Sequence, residues 1–229
     1  ILANTADEVI TERTKIVAVT HVGNTTGAIT DIAPMVKRAH EVGAVVVLDA
    51  CQSVPHLKID LHALDVDFAA WSAHKMYGPT GVGFLYGKRD MLEALPPANF
   101  GGSMVELAWM DQEAQYMAPP ARFEAGTQPV AQVVAAGVAA EWLMNIGMEN
   151  LEAHERVIAG ELLKMGQIDG VRILGPQTNE QRIGTVAFEI DGVHPHDVGQ
   201  FIDAQGIAIR VGHHCAQPVH RHFGVYASN

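Results

Sequence analysis

Three side chains in this sequence are candidates for a chemical role: an amine, a carboxylate and a thiol. Lys75 is the one charged residue in the stretch WSAHKMYGPTGVGFLYG, residues 71–87. Asp49 ends the valine-rich run AVVVLDAC, and Cys215 lies in IAIRVGHHCAQP beside two histidines and an arginine. A lysine amine can attack an aldehyde, and a cysteine thiolate can attack sulfur or carbon, so both residues are candidate catalytic groups.

The setting of Lys75 suggests a bound aldehyde cofactor. Removal from water disfavours the charged form of an amine and makes it a nucleophile for carbonyl groups, so we expect Lys75 to be buried. Pyridoxal phosphate would then bind to Lys75 as a Schiff base. Its ring nitrogen needs a carboxylate so that the ring can absorb carbanion charge, and Asp49 is the candidate.

Other polar residues that this cofactor requires also follow apolar segments. Asn24 and Gln52 are candidate donors to the phenolic oxygen of the cofactor. Ser72 and His74 precede the lysine and could donate to the phosphate. Taken alone, Asp49 is more simply a helix cap or a turn former, and the lysine is more simply a surface side chain. Their common position after strands favours one shared site.

The cysteine segment allows three interpretations. A metal site could use His213, His214 and Cys215, but adjacent residues rarely turn toward one ion and no fourth ligand is evident. A structural cysteine is the ordinary alternative. Arg210 and the two histidines would favour a thiolate, which makes a nucleophile plausible. Cys51, beside Asp49, is interpreted as a packing residue.

The first half of the sequence predicts a sheet that could position these groups. Residues 15–24 and 44–51 are apolar and β-branched, and a helical pattern at 31–43 separates them, which predicts a parallel pair with a right-handed crossover. Segments 67–72 and 81–87 predict two further strands. Ligands of open α/β sheets bind beyond the carboxyl ends of the strands, where the polar residues lie.

The second half has a different pattern. Residues 130–147 are alanine-rich and apolar on most sides, which predicts a buried helix, and a second helix should extend to about residue 168. The segments VRILG, RIGTVAFEI, HPHDVGQFIDAQG and IAIRVG then predict strand, strand, helix and strand. We predict an α/β protein with a large domain at 1–145, built on a mostly parallel sheet, and a smaller α+β domain at 146–229.

Composition limits the possible partners. The 229 residues are 48% hydrophobic and 18% charged, which is ordinary for a globular protein with a core. The formal net charge of −11 and the absence of a basic run argue against nucleic acid and anionic membranes as partners. No apolar stretch reaches about 18 residues, and no signal peptide is visible. Two cysteines indicate a reducing, cytoplasmic setting.

The segments LDACQSVPH, WSAHKMYGPTGVGFLYG and RFEAGTQP together resemble the class V group of fold-type I pyridoxal phosphate enzymes. The resemblance runs along essentially the whole chain and implies that fold. It also implies that Thr127 reaches the cofactor phosphate of a neighbouring subunit, and therefore a homodimer. The pattern around Asp49 and Lys75 is specific to the class and not to one reaction.

The loop R-x-G-H-H-C-A is similar to that of the SufS-type, group II cysteine desulfurases. This resemblance implies L-cysteine as the substrate, alanine as a product and a persulfide on Cys215. The sulfur would go to iron–sulfur cluster assembly. Asn24 and Arg210 would contact cofactor or substrate, although a salt bridge that fixes the loop is an equal alternative for Arg210.

The segment HPHD bears on the sulfur acceptor. The simple interpretation is a helix start at Pro195. His196 also resembles a histidine of SufS-type enzymes that deliver sulfur to a zinc-containing SufU-like acceptor, where it would contact the zinc of the partner; enzymes with a SufE-like acceptor lack it. The chain looks like a fragment without an N-terminal part and the extreme C-terminus, so we expect the 229 residues alone to be inactive.

Three other functions stay open. A selenocysteine lyase would use the same chemistry on selenium. A class V aminotransferase-like enzyme would not depend on Cys215. A non-enzymatic module that carries sulfur or a metal would bind no aldehyde cofactor at Lys75.

Overall fold

The structure is a computed structural model that describes residues 5–229. They form two compact units, which we name after the reactive residue each contains. The lysine unit comprises residues 5–19, Ala33–Cys51 and Asp60–Asn145, and the cysteine unit comprises Thr20–Ile32, Gln52–Ile59 and Ile146–Asn229. The predicted division into domains 1–145 and 146–229 stays a prediction.

The lysine unit is built on one four-stranded sheet. In chain order its elements are α1 (Ala6–Val9), β1 (Ile16–Thr20), α2 (Ala33–Glu41), β2 (Val45–Asp49), β3 (Phe68–Ser72), β4 (Gly83–Gly87) and α3 (Arg89–Ala94). The strands lie in the order β1, β2, β3, β4, which confirms the four predicted strands. The helix predicted at 31–43 is α2, and it ends before Gly43, whose φ of 72° suits glycine.

The register of the sheet follows from its buried faces. Val46, Leu48 and Ala69 are fully buried, so a slip by one residue would turn them toward the opposite face. β2 and β3 are parallel, whereas β3 and β4 are antiparallel. The sheet is therefore mixed, with the antiparallel pair joined by the segment that contains Lys75.

A two-stranded sheet, β5 (Val105–Leu107) with β6 (Gln115–Tyr116), and the long helix α4 (Val130–Ile146) complete the lysine unit. The helix was correctly predicted, but its burial was not. Its buried side chains are Ala136, Ala139 and Leu143, whereas Val130, Val134 and Val138 are 62–64% exposed. Its apolar composition does not specify which face is covered, and residues 5–229 cover only the alanine face.

In the cysteine unit, helix α5 (Met148–Leu163) continues as a 3-10 turn (Lys164–Gln167), which accounts for the second predicted helix. It is followed by β7 (Val171–Leu174), β8 (Ala187–Ile190), α6 (Pro195–Asp203) and α7 (Gln217–Phe223). β7 and β8 pair antiparallel, and Ile173, Phe188 and Val198 form the core beneath them.

The strand predicted at IAIRVG is wrong. Residues 207–211 have no strand, and Gly212 forms an isolated bridge with Ser228. A β-ladder needs a neighbouring extended segment, and Ser228 supplies a single pairing position there. Ile209 packs against the core of the hairpin, so the apolar pattern reflects burial without a ladder.

No single helix of residues 5–229 is both long and apolar enough to cross a membrane. The successive helices Val130–Ile146 and Met148–Gln167 reach that length and composition only when they are counted together across the break between them.

Candidate active site

The lysine lies at the carboxyl edge of the parallel strand pair. Asp49 is the last residue of β2 and pairs with Ala70, two residues before the end of β3 at Ser72. Ser72 has an extended backbone that leads directly into a 3-10 turn, Ala73–Lys75. We call this turn the lysine turn. Parallel strands end at the same side of a sheet, so Asp49, Ser72 and the lysine turn share one edge.

The lysine turn is tightly closed. The buried Ala73 accepts hydrogen bonds at its carbonyl from Met76 N and Gly78 N, both at 2.9 Å. A Cβ on Gly78 would lie 2.9 Å from the Ala73 carbonyl oxygen, closer than real Cβ atoms approach. Tyr77 has a positive φ of 63° between them. Glycine at position 78 therefore lets the chain fold back immediately after Lys75.

The expected burial of Lys75 is not found. Lys75 and His74 are exposed, and within residues 5–229 no group accepts a hydrogen bond from the Lys75 amine. Asp49 is also exposed; its Oδ1 accepts a hydrogen bond from Cys51 N at 3.0 Å, and its other oxygen has no partner in the described part of the chain. The turn closes on Ala73 and leaves the side chains of His74 and Lys75 at the surface.

These groups fit pyridoxal phosphate by their chemistry. The edge offers an amine for the aldehyde, a carboxylate oxygen for the ring nitrogen, and the Ser72 hydroxyl and His74 imidazole for the phosphate. Cys51 Sγ lies 3.8 Å from Ser72 Oγ and 4.0 Å from the Ala70 carbonyl oxygen. Cys51 is half-buried against β3, in agreement with its interpretation as a packing residue.

Thr127 lies on an exposed loop before α4. Gly126, with a φ of 83°, donates a backbone hydrogen bond to the Gly102 carbonyl at 2.8 Å. Arg122 Nη1 donates to the Glu93 carbonyl at 2.9 Å. Hydrogen bonds to the backbone carbonyls of Gly102 and Glu93 therefore fix the loop, while the Thr127 side chain is left exposed.

Cys215 lies at the tip of a four-residue turn, His213–Ala216, which we call the cysteine turn. Ala216 N donates to the His213 carbonyl at 2.7 Å, and the central residues His214 and Cys215 have positive φ values of 50° and 59°. This is the pattern of a type I′ turn, in which glycine, asparagine or aspartate usually stands. Each non-glycine residue costs about 1–2 kcal/mol in this conformation, so other contacts must hold the turn.

Contacts from two distant segments hold His214. Its carbonyl accepts a hydrogen bond from Asn24 Nδ2 at 2.5 Å, and its Nε2 lies 3.2 Å from the Ser228 carbonyl oxygen. A carbonyl can only accept, so Nε2 carries the proton. Gly212 and Ser228 also exchange two backbone hydrogen bonds, at 3.0 and 3.1 Å. The cysteine turn is thus attached on both sides.

His220 fastens the turn from beneath. Its ring is 1% exposed; Nδ1 donates to the Ala216 carbonyl at 2.9 Å, and Nε2 lies 3.0 Å from Ser228 Oγ. In a neutral ring with its proton on Nδ1, Nε2 accepts from the Ser228 hydroxyl. His220 therefore ties the start of α7 to the C-terminal segment.

The histidine next to Cys215 carries little charge at neutral pH. Burial lowers the pKa of His214, and electrostatic interactions with His220, Arg210 and His213 lower it further, against the hydrogen bond to Ser228 that raises it. The imidazole is therefore neutral near pH 7. Of the other neighbours expected to favour a thiolate, Arg210 is exposed.

The predicted site residues are divided between the two units. The lysine unit contains Asp49, Ser72, His74, Lys75 and Thr127. The cysteine unit contains Asn24, Gln52, His196, Arg210 and Cys215.

The structure places the predicted residues Asn24 and His196 and adds two residues that the sequence analysis did not name. Asn24 lies four residues beyond the end of β1, and its amide is engaged by the cysteine turn. His196 is exposed in the first turn of α6, where its backbone N–H donates to His194 Nδ1 at 3.3 Å. The sequence did not point to His220 and Ser228, because no spacing relates them to Cys215 before the chain is folded.

Comparisons with known proteins agree with this architecture. The family model for class V aminotransferases matches residues 1–228. A probable cysteine desulfurase 2 from Mycobacterium leprae is 52% identical over 218 residues, which cover 95% of this chain and 52% of that protein. A probable cysteine desulfurase from Streptomyces coelicolor is 47% identical over 223 residues, covering 97% and 53%. The chain spans about half the length of these curated relatives.

Solved structures confirm the predicted fold. The cysteine desulfurase CsdA from Escherichia coli, in an S-sulfonic acid form, matches with a TM-score of 0.91 at 36% identity and covers 99% of this chain and 56% of its own. Apo cysteine desulfurase from Thermococcus onnurineus matches with a TM-score of 0.93 at 32% identity, with the same coverage. The α/β architecture is thus the fold-type I architecture of pyridoxal phosphate enzymes.

Proposed function

The chain belongs to the class V aminotransferase family, and we propose that it is part of a pyridoxal phosphate-dependent cysteine desulfurase. One observation carries the proposal: Asp49 and the turn with Lys75 follow two adjacent parallel strands at one edge of the sheet. The exposed Cys215 and the names of the relatives support the choice of reaction within the family.

We propose that Lys75 binds the cofactor covalently and that Asp49 keeps its ring nitrogen protonated. Ser72 and His74 would bind the phosphate, and Asn24 and Gln52 would donate to the phenolic oxygen. When bound, pyridoxal phosphate supplies an electron sink for charge on the carbon next to the substrate amine. The Thr127 of a second subunit would complete the phosphate site, so the proposal includes a homodimer.

Lys75 and Cys215 would do the chemical work of this chain. The Lys75 amine, once freed, would take the proton from Cα of L-cysteine and return one later as general base and acid. The Cys215 thiolate would attack the substrate sulfur: an S–S bond forms, the Cβ–S bond breaks, and its electron pair ends in a new C–H bond. The balance is L-cysteine plus a thiol to L-alanine plus a persulfide on Cys215. Arg210 would bind substrate or cofactor, or fix the loop.

The destination of the sulfur forms a further part of the proposal. We propose a SufS-type enzyme of the cytoplasm that supplies iron–sulfur cluster assembly through a SufU-type acceptor, with a SufE-type acceptor as the alternative. His196 supports the first, because its exposed ring could reach a zinc ion of the acceptor. The His196→Ala variant should transfer sulfur to a SufU-type protein more slowly. An unchanged transfer rate would exclude the proposed contact between His196 and the acceptor.

We also propose that turnover requires more than these 229 residues. The chain spans about half the length of its curated relatives. Alanine release by the 229-residue chain, supplied with pyridoxal phosphate and L-cysteine, would show that it is sufficient.

Peptide mass analysis after exposure to L-cysteine and pyridoxal phosphate tests the central claim in the complete enzyme that contains this chain. We expect one added sulfur atom on the peptide with Cys215 and none on the peptide with Cys51. Cys215→Ala should abolish alanine release, and Cys51→Ala should leave it near the wild-type rate. An unmodified Cys215 peptide together with alanine release would exclude the proposed sulfur transfer.

Three related measurements on the complete enzyme separate the alternatives. A selenocysteine lyase would turn over L-selenocysteine and leave L-cysteine unchanged. An aminotransferase-like enzyme would keep its turnover in the Cys215→Ala variant. A non-enzymatic module would show no covalent pyridoxal phosphate after borohydride reduction.

A further inference from the structure

The turn that presents Cys215 is attached to a loop from the beginning of the chain. Asn24 Nδ2 donates to the His214 carbonyl at 2.5 Å, across 190 residues of sequence. This carbonyl belongs to one of the two left-handed residues at the centre of the turn. A donor aimed at it favours one orientation of the His214–Cys215 peptide, and with it the conformation that exposes the thiol.

The Asn24 loop, residues 24–29, is itself fixed by Arg182. This arginine is 2% exposed, and its guanidinium donates to the carbonyls of Thr26 at 3.0 Å, Thr185 at 2.6 Å and Pro176. The backbone beside it also pairs with the loop: Ile29 N donates to Gln181 O, and Ile183 N donates to Gly27 O, both at 2.9 Å.

A buried arginine without a carboxylate is an unusual arrangement. Burial lowers the pKa of Arg182, and its Nε has no hydrogen-bond partner in the described chain. Removing an ion such as a guanidinium from water costs several kcal/mol of hydration free energy. Buried charges are therefore normally paired with an opposite charge. Here three backbone carbonyls replace the counterion, and this arrangement fixes one particular backbone path.

The Asn24 loop also packs closely against neighbouring backbone. A Cβ on Gly27 would lie 2.4 Å from the Thr185 carbonyl oxygen, and one on Gly175 would lie 2.6 Å from Thr26 Cβ. Both glycines have positive φ, at 68° and 94°. The backbone around Thr26 is therefore enclosed on two sides by close contacts as well as held by hydrogen bonds.

We propose that Asn24 and Arg182 are positioning residues for Cys215. Arg182 fixes the Asn24 loop, and Asn24 holds the cysteine turn in its left-handed conformation through the His214 carbonyl. The role as part of a catalytic apparatus rests on the proposed function, in which Cys215 accepts sulfur; the mechanical role does not.

The Asn24→Asp variant tests the mechanical role in the full chain, without cofactor or substrate. A carboxylate has the same shape but cannot donate to a carbonyl. We expect hydrogen exchange of the Ala216 amide, which closes the turn, to become about twofold to tenfold faster, as loss of one hydrogen bond of ordinary strength implies. Exchange in the β7–β8 hairpin should not change. Asn24→Gln, which keeps the amide donor, should restore part of the protection.

Asn179→Asp is the matched control. Asn179 Nδ2 also donates to a backbone carbonyl in the cysteine unit, that of Arg156 at 3.2 Å, which is not part of the cysteine turn. Equal exchange of the Ala216 amide in both aspartate variants and in the wild type would overturn the proposal. Because the measurement contains no pyridoxal phosphate, weakened cofactor binding cannot produce the expected difference.

A second measurement uses the two cysteines of the same molecule. The rate of alkylation by iodoacetamide at Cys215, divided by the rate at Cys51, should differ at least about twofold from the wild type in Asn24→Asp and in Arg182→Lys, and not in Asn179→Asp. Arg182→Lys keeps the charge but cannot reach three carbonyls. If it does not fold, the Asn24 variant alone decides.

The two proposals fail separately. If Asn24→Asp loosens the turn but the wild-type holoenzyme places no sulfur on Cys215, the positioning role stands and the desulfurase assignment is wrong. If the wild-type enzyme forms the persulfide and Asn24→Asp leaves both the exchange and the alkylation ratio unchanged, the positioning role is wrong.

Discussion

The edge with Lys75 and the turn with Cys215 position their reactive side chains by different means. At the lysine edge, the register of β2 and β3 and one tight turn on Ala73 determine the position of the Lys75 backbone. At the cysteine turn, two residues stand in an unfavourable backbone conformation, and the Asn24 side chain and the Ser228 carbonyl hold them there.

The difference indicates how each site responds to mutation. A strand register is specified by many buried side chains at once, so single changes near Lys75 should alter chemistry more than geometry. The cysteine turn depends on a few hydrogen bonds, each worth about 1 kcal/mol net, so single changes there should alter geometry first. The following predictions test this contrast, beginning with the largest effect.

Replacing Lys75 should remove chemistry without unfolding the lysine unit, because its exposed side chain makes no contact on which the sheet depends. Lys75→Ala should lower activity of the complete enzyme by at least about a hundredfold, the usual contribution of a general acid–base group, and abolish covalent trapping of pyridoxal phosphate by borohydride. Lys37→Ala, at a side chain that is 81% exposed, is the control and should change neither. Trapping on another residue in the Lys75 variant would contradict the assignment.

Gly27→Ala should destabilise the cysteine unit by roughly 3–5 kcal/mol, from the left-handed backbone and the overlap with the Thr185 carbonyl together. Gly192→Ala separates the two causes, because Gly192 has a similar φ of 69° but no neighbour within 4 Å of its Cβ position. It should cost only about 1–2 kcal/mol. The free energies of unfolding would be measured in urea. Equal losses in Gly27→Ala and Gly192→Ala would mean that the structure relieves the close contact at position 27.

Asp67 is the counterpart of Arg182 in the lysine unit, a buried charge with good partners. It accepts from Val46 N at 2.8 Å and Lys88 Nζ at 2.9 Å, and lies 3.1 Å from His40 Nε2. Burial alone would raise the pKa of Asp67, but these partners together lower it.

Asp67→Asn should cost about 2 kcal/mol at pH 7, less than a fully buried pair, because the Lys88 side chain is 28% exposed. A lowered folded pKa means that the stabilisation is complete above the unfolded pKa, about 3.9, and is lost as pH falls through the folded value. The variant should therefore lose less stability in acid than the wild type. Asp65→Asn, at a side chain that is 63% exposed, is the milder control.

The smallest effect concerns the histidines of the cysteine unit. Burial lowers the pKa of both His21 and His214, so the unfolded chain binds more protons than the folded chain just below pH 6.5. Stability should fall as pH decreases from about 6.5, before the carboxylates of the lysine unit titrate. Hydrogen exchange at pH 7 and pH 5.5, corrected for intrinsic rates, should show the loss at residues 212–216 first. A loss that appears first in β2 and β3 would contradict this order.

Much of the fold followed from local pattern. Valine-rich runs and the helical spacing of residues 31–43 placed β1, α2 and β2 correctly, because buried strands and amphipathic helices have distinct periods. The same logic failed where burial and ladder formation separate: IAIRVG is apolar but finds no strand to pair with, and α4 is apolar on a face that residues 5–229 leave exposed.

The sequence by itself determined which chemical groups are available and that Asp49 and Lys75 each follow a strand, because the period of buried side chains is a property of short segments. Only the tertiary structure decided that Lys75 is exposed, that His214 and Cys215 adopt left-handed conformations, and that Asn24, Arg182 and Ser228 support them. Hydrogen bonds between residues far apart in the chain depend on how several elements pack together, and no local spacing records that packing.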